Sequence, residues 1–364
     1  MSSKQINIDD LYPDAIHVLK DLIAIPSFSK EENKSADFLE SFLLRKNIKT
    51  NRYLNNVWAA NKYFDKNKTT LLLNSHHDTV KPNKGYTFNP FEAIEKDGKL
   101  FGLGSNDAGG PLVSLLATFV HFYEAVLPFN IIFAASAEEE ISGKNGIEIL
   151  LKELPQIDCA IVGEPTLLNM AVAEKGLLVL DCVAHGKAGH AARNEGVNAL
   201  YIAMKDINWL STCQFPKISE LLGPVHIAVT SINTENKTHN IVPSECSFLV
   251  DIRVNELYSF EEIISILKEN IQSEILPRST RLKSTFIAEN DPLVIAGNKM
   301  GISSYGSPTC SDKALMDFPA LKIGPGDSAR SHTADEFIFV KEIEEGIKTY
   351  IQLLENYADE LKEL

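Results

Sequence analysis

Three short apolar runs, each ending in histidine or acid, constrain this chain more than any other feature of its sequence. Residues 69–74 (TTLLLN) lead into Ser75-His76-His77-Asp78. Asn130–Ser136 (NIIFAAS) leads into Glu138-Glu139-Glu140, and Cys159–Val162 leads into Gly163-Glu164-Pro165-Thr166. Uninterrupted apolar runs of this length suit strands buried on both faces. Helical patterns read at 108–126 and near 143–153, between the runs, and at 12–24 and 30–47 before them. In the 30–47 segment Ala36, Leu39, Phe42 and Leu43 recur at helical spacing. The order strand, helix, strand, helix, strand predicts an α/β fold with a sheet covered by helices on both faces. Ligands bind such sheets beyond the carboxyl ends of the strands. All three runs end there on clustered His, Asp or Glu.

The pattern changes after about residue 170. Strands read at 177–183, 226–231 and 246–254, with helices near 196–210 and 259–273 between and after them. This is the β-α-β-β-α-β order of a ferredoxin-like α+β module. The last part returns to α/β, with a strand at 320–323, a Gly324-Pro325-Gly326 turn and a closing helix from about 339 to 358. The expected organisation is one domain, 1–169 and 281–364, split by an inserted domain at 170–280.

A formal net charge of -14 with scattered Lys and Arg argues against nucleic acid as a partner. The five cysteines are far apart and form no CxxC, which speaks against a disulfide framework or a structural zinc knuckle. No apolar run reaches the ~20 residues a membrane helix needs. The polar residues 1–10 carry no signal-peptide core. The expectation is a cytoplasmic protein that does not engage the membrane.

Each chemistry-bearing segment has a bland reading on its own. His76-His77-Asp78 is weak as an isolated signal, although a carboxylate behind a ligating imidazole is a common way to orient it. Asp107, in Gly102-Leu103-Gly104-Ser105-Asn106-Asp107-Ala108-Gly109-Gly110, could be an ordinary helix N-cap. Glu138-Glu139-Glu140 could be an acidic helix start, and His332 a structural histidine. Together they have a chemical logic. Two histidines and three carboxylates suit two divalent cations such as zinc. Two dications roughly 3.5–4 Å apart need a shared anion. One carboxylate would bridge, and each metal would keep one His and one further carboxylate. At the glutamate triplet one acid would bind metal while its neighbour takes a proton from water. A one-residue shift there, or His77 in place of His76, remains open.

These motifs, in this order, resemble the acetylornithine deacetylase and succinyl-diaminopimelate desuccinylase family of dinuclear zinc hydrolases, from about residue 20 to the last helix. The resemblance implies that Asp107 bridges two metals, zinc or cobalt. His76 and Glu164 would complete one site, Glu140 and His332 the other. Asp78 would orient His76, and Glu139 would be the general base. It implies further that the inserted domain is a dimerisation (lid) domain and the protein a homodimer. Gly186-Lys187-Ala188-Gly189-His190 resembles the segment whose imidazole stabilises the oxyanion. Asn240 and Arg253 resemble residues that hold a substrate carboxylate. Cys310 departs from the family's usual Gly-Thr-Ser-Asp in this region.

The activity so implied is hydrolysis of an N-acyl amino acid. Gly324-Pro325-Gly326 points to N-acetylornithine and arginine biosynthesis, with N-acetylcitrulline or an N-succinyl amino acid as competitors. Arg330 is expected to face the substrate and disfavour a cationic side chain. A dipeptidase or carboxypeptidase on the same scaffold is the enzymatic alternative. A non-catalytic binding relative should have lost a ligand, and here the set is complete.

Overall fold

The computed structural model describes residues 8–193 and 195–363. The chain forms two compact units: residues 1–172, 287–305 and 311–364 make the larger, and residues 173–286 and 306–310 the smaller. Both boundaries lie a few residues further along the chain than 170 and 280. Met170 and Val172 are buried in the larger unit's core, and Ala171 pairs with Lys322. At the other end, the Leu282 carbonyl accepts from the Leu177 amide, and Ser284 Oγ donates to the Glu174 carbonyl.

The larger unit is built on a mixed sheet. Its strands lie in the order Asn51–Tyr53, Asn56–Ala60, Asn130–Ser136, Thr70–His76, Cys159–Val162, Ala320–Lys322 and Met170–Glu174. The four from Asn130–Ser136 to Ala320–Lys322 run parallel. In register, His76 lies opposite Ser136, and Asn74 opposite Val162. The chain ends of the three apolar runs therefore meet at one edge of the sheet.

The runs are continuously apolar because both faces are covered. Leu71, Leu73, Ile131, Phe133 and Ile161 belong to the core that also contains buried side chains of helices Ile8–Ile23, Asn33–Arg45, Gly110–Phe122 and Val340–Glu363. The alternate residues Leu72, Ile132, Ala134, Ala160 and Val162 pack on the other face with Ile147, Leu150 and Met316. The helix expected near 143–153 shrinks to Ile147–Leu150, because the preceding chain closes a turn on Glu138: the Gly143 amide donates to the Glu138 carbonyl. No helix among the described residues is long and apolar enough to cross a membrane.

The smaller unit carries the β-α-β-β-α-β order. Its sheet is antiparallel, in the order His226–Asn233, Glu245–Val254, Gly176–His185, Glu274–Pro277. Helices Ala199–Thr212 and Phe260–Asn270 contribute Ala203, Leu210, Ile263 and Leu267 to a core with Leu178, Leu180, Phe248 and Val250. Strict alternation of buried and half-exposed residues along Gly176–His185 matches a sheet covered on one face.

Candidate metal centre

His76 ends strand Thr70–His76 and is almost fully buried. Its Nδ1 lies 2.9 Å from the Asp78 carbonyl, which leaves Nε2 turned towards three carboxylates. These are Asp107 Oδ1 at 3.3 Å, Glu139 Oε2 at 3.9 Å and Glu164 Oε1 at 3.9 Å. His332 approaches the same group. Its Nε2 lies 2.9 Å from Glu140 Oε2 and 3.8 Å from Asp107 Oδ2. Asp107 thus faces one histidine with each oxygen, and each histidine has a further carboxylate beside it. Ligand atoms of His76, Asp107 and Glu140 fall within 4.8 Å of one another. Two neutral imidazoles and three carboxylates are a donor set that divalent cations favour, so the residues fit a two-metal centre.

The loop before Asp107 is held by backbone geometry. Gly104 has φ +74°, and a Cβ there would sit 2.5 Å from Thr79 Cγ2. At Gly109 a Cβ would meet the Gly104 carbonyl oxygen at 2.3 Å. The Asp107–Ala108 peptide bond is cis. Asp107 lies on the irregular turn before helix Gly110–Phe122, whose N-cap is Gly109.

Burial and neighbouring charge together set the titration of the cluster. Burial disfavours a charged His76, yet Asp107, Asp78, Glu139 and Glu164 together carry it well above the usual imidazole range. His332 rises to about 9, chiefly through its bond to Glu140. Burial, with Glu164, Asp312 and Glu140 adding to it against the pull of His76, raises Glu139 well above the usual carboxylate range. Burial would also raise Asp78, but the bonds from His76 and Ser29 bring it below its ordinary value.

The three glutamates separate by backbone conformation. Glu138 is left-handed, φ 54°, and its carboxylate accepts from Asn145 Nδ2 at 3.0 Å. Only Glu139 and Glu140 reach the cluster. His77 likewise points away, with Nδ1 2.9 Å from Ser35 Oγ and Nε2 2.9 Å from the Asn55 carbonyl. Burial lowers it to about 4. Asp78 does more than accompany His76. Its carboxylate accepts the backbone amides of Glu139 and Glu140, at 3.0 and 3.2 Å, and the Ser29 hydroxyl at 2.7 Å.

Two buried acids were given no role from the sequence. Glu336 accepts the amides of Gly104, Asn106 and Asp107 at 3.0, 2.9 and 2.9 Å, so it anchors the Asp107 loop. Asp312 accepts from Ser136 Oγ at 2.6 Å and Asn74 Nδ2 at 2.9 Å. Burial lifts Glu336 to about 8 and Asp312 to about 6. The available signal for Glu336 was an acid just before the apolar Phe337–Phe339.

Arg330, expected to face the substrate, has partners within the protein. Its Nη1 and Nη2 donate to both Glu342 oxygens, at 2.6 and 3.1 Å. Its guanidinium also lies 4.9 and 5.0 Å from the Phe337 and Phe339 ring centres. A planar fork paired and stacked in this way is committed to the protein. His190, Asn240 and Arg253 lie in the smaller unit. His190 pairs with Ile241 on a two-residue ladder, and the adjoining Ala191 amide donates to the Asn240 carbonyl at 3.0 Å. Arg253 makes a two-point pair with Asp251, through Nε at 2.8 Å and Nη2 at 3.0 Å.

With this geometry stand the likenesses to known proteins. Residues 72–356 match the family described as Peptidase family M20/M25/M40. The chain belongs to this family. It is therefore a hydrolase of the M20 class. A succinyl-diaminopimelate desuccinylase of Buchnera aphidicola subsp. Cinara cedri is 32% identical over 291 residues, 76% of this chain and 73% of that one. Among solved structures, a tripeptidase from Staphylococcus aureus shares the fold with TM-score 0.77 and 20% identity, covering 98% of this chain and 100% of that one. A Bacillus subtilis protein described as a dinuclear metal binding peptidase from the M20 family shares it with TM-score 0.71 and 13% identity, covering 98% and 100%.

Proposed function

We propose that this protein hydrolyses the amide bond of N-acyl amino acids at a pair of divalent cations, zinc or cobalt. One observation carries the reading: Asp107 turns a different oxygen to each of two histidines, and each histidine has a second carboxylate of its own. His76, Asp107 and Glu164 would hold one cation, and Glu140, Asp107 and His332 the other. Cations bound there supply Lewis-acid polarisation of the amide carbonyl and a lowered pKa for water.

The chain's own residues supply the rest. Glu139, the base that the motif resemblance implies, would take the proton of the attacking water on its carboxylate and deliver it to the leaving amine nitrogen. Asp78 would hold the Glu139–Glu140 turn and keep His76 oriented. For His190, Asn240 and Arg253 the proposed roles are those the motif resemblance implies, oxyanion stabilisation and substrate carboxylate binding. Assembly as a homodimer through the smaller unit belongs to the same proposal.

N-acetylornithine, N-acetylcitrulline and their N-succinyl analogues are the leading substrates. The desuccinylase-named relative supports placing N-succinyl-diaminopimelate beside them. Peptide hydrolysis is the second reading, favoured by the family's description as peptidases. Metal-reconstituted protein assayed on these compounds and on dipeptides separates the two. Amine release from acyl amino acids supports the proposal; cleavage of peptides alone replaces it with the second reading.

A further inference from the structure

A cleft of about 300 Å³ lies within the larger unit, lined by none of the residues given metal or proton roles above. Pro165, Leu167, Tyr305, Asp327 and Ser328 are among its walls. The loops that carry the metal-binding carboxylates fix its position. Pro165 directly follows Glu164. Asp327 is clamped to Asn106, the neighbour of Asp107: its amide donates to Asn106 Oδ1 at 3.0 Å, and Asn106 Nδ2 donates to its carbonyl at 3.0 Å. Thr166 and Asp327 form a β-bridge that joins the two walls.

The cleft's chemistry is asymmetric. Pro165, Leu167 and the Tyr305 ring offer apolar surface. Leu167 is 53% exposed in a left-handed conformation, φ 54°, with its amide bonded to the Gly326 carbonyl at 2.7 Å. Leu167 thus adds apolar surface to the cleft wall. Asp327 adds a carboxylate. One of its oxygens accepts the Ala329 amide at 2.9 Å. No Lys or Arg lines the cleft among the described residues.

We infer that this cleft receives the side chain of the N-acyl amino acid and selects an alkyl chain ending in a cation. Its methylenes would lie against Pro165, Leu167 and Tyr305, and its ammonium would meet Asp327. The inference rests on the amidohydrolase reading of the adjoining centre. A carboxylate-ended side chain would be repelled by Asp327, and an uncharged one would lose the charge-assisted bond.

The test compares kcat/KM of the metal-loaded full chain on Nα-acetyl-ornithine, Nα-acetyl-lysine, Nα-acetyl-norleucine and Nα-acetyl-glutamate. The wild type should prefer the two cationic substrates to norleucine by roughly tenfold or more. Asp327→Asn keeps an oxygen for the Ala329 amide and so preserves the turn. It should lower the cationic-to-neutral ratio roughly 10- to 100-fold. Ser328→Lys, at an exposed position on the same wall, should shift preference towards the glutamate compound, which keeps the idea testable if the Asn variant folds poorly. Hydrolysis of none of the four, nor of their N-succinyl analogues, would overturn the amidohydrolase reading itself. Hydrolysis without cationic preference, or with a ratio unmoved by both variants, would overturn the cleft assignment alone.

Discussion

Asp78→Asn keeps the volume of a fully buried side chain and changes only what it accepts. In the wild type, Oδ1 takes the Glu139 amide, while Oδ2 takes the Glu140 amide and the Ser29 hydroxyl. A carboxamide has one carbonyl oxygen. Whichever way the asparagine is turned, one of the two backbone N–H groups faces an NH₂ donor. A buried donor without an acceptor costs about 1–3 kcal/mol. The bonds that survive end on a neutral oxygen, and each weakens by about 1 kcal/mol. The sum, about 2–5 kcal/mol, falls on the turn that aims Glu139 and Glu140 at the cluster. We expect kcat to fall roughly 10²-fold or more, KM to change little, and Tm to drop by several degrees. Steady-state kinetics on metal-loaded protein, bound-metal analysis and calorimetry read these outcomes. Ser29→Ala is the control, since it removes one donor and leaves both amides paired. It should cost about 1 kcal/mol. Wild-type turnover and Tm in the Asn variant would refute the anchoring argument.

Four further outcomes are expected. Glu139→Ala should lower turnover by roughly 10²–10⁴-fold while two metals remain bound; loss of one metal equivalent would make Glu139 a ligand instead. Metal uptake at pH 7 should release protons, because His332 sits near pKa 9 in the metal-free protein and must become neutral to bind; calorimetry in buffers of different ionisation enthalpy would contradict this by showing no net release. Glu336 and Asp312 titrate near 8 and 6 when folded, so above their ordinary carboxylate values the metal-free native state holds protons that the unfolded chain has released. Their stabilisation is complete at acid pH and is lost as pH rises to about 8, and that of His332 is lost as pH rises through about 9; urea midpoints of metal-free protein that stay level or increase from pH 5.5 to 8.5 would show the sign to be wrong. Arg330→Ala should destabilise the protein by about 1–3 kcal/mol, since it breaks a two-point pair and a ring contact, and leave the acetylornithine-to-acetylcitrulline preference within about twofold; a large change in that ratio would return Arg330 to the substrate.

Much of this architecture was legible in the order of residues alone. Strands covered on both faces must be apolar at every position, so Asn130–Ser136 and Cys159–Val162 stand out with their observed bounds. A ligand-type side chain immediately after such a run has few structural reasons to be there. That is why His76, Glu140 and Glu164 stood out; Asp107 and His332, 225 positions apart (332 minus 107), follow no such run and joined the set only through the order of the motifs.

What only the tertiary structure decided is the direction each side chain takes. Glu138, Glu139 and Glu140 are chemically identical, and a single left-handed residue sends the first to Asn145 and the other two to the histidines. His76 ends its strand, and His77, just beyond it, is drawn away by Ser35 Oγ and the Asn55 carbonyl. Asp78, Glu336 and Arg330 acquire their partners from segments 61, 229 and 12 residues away. Hydrophobic pattern encodes which elements form and which faces they bury, because burial is summed over many residues. A hydrogen bond between two particular atoms depends on backbone angles and long-range packing, and leaves no period in the sequence to read.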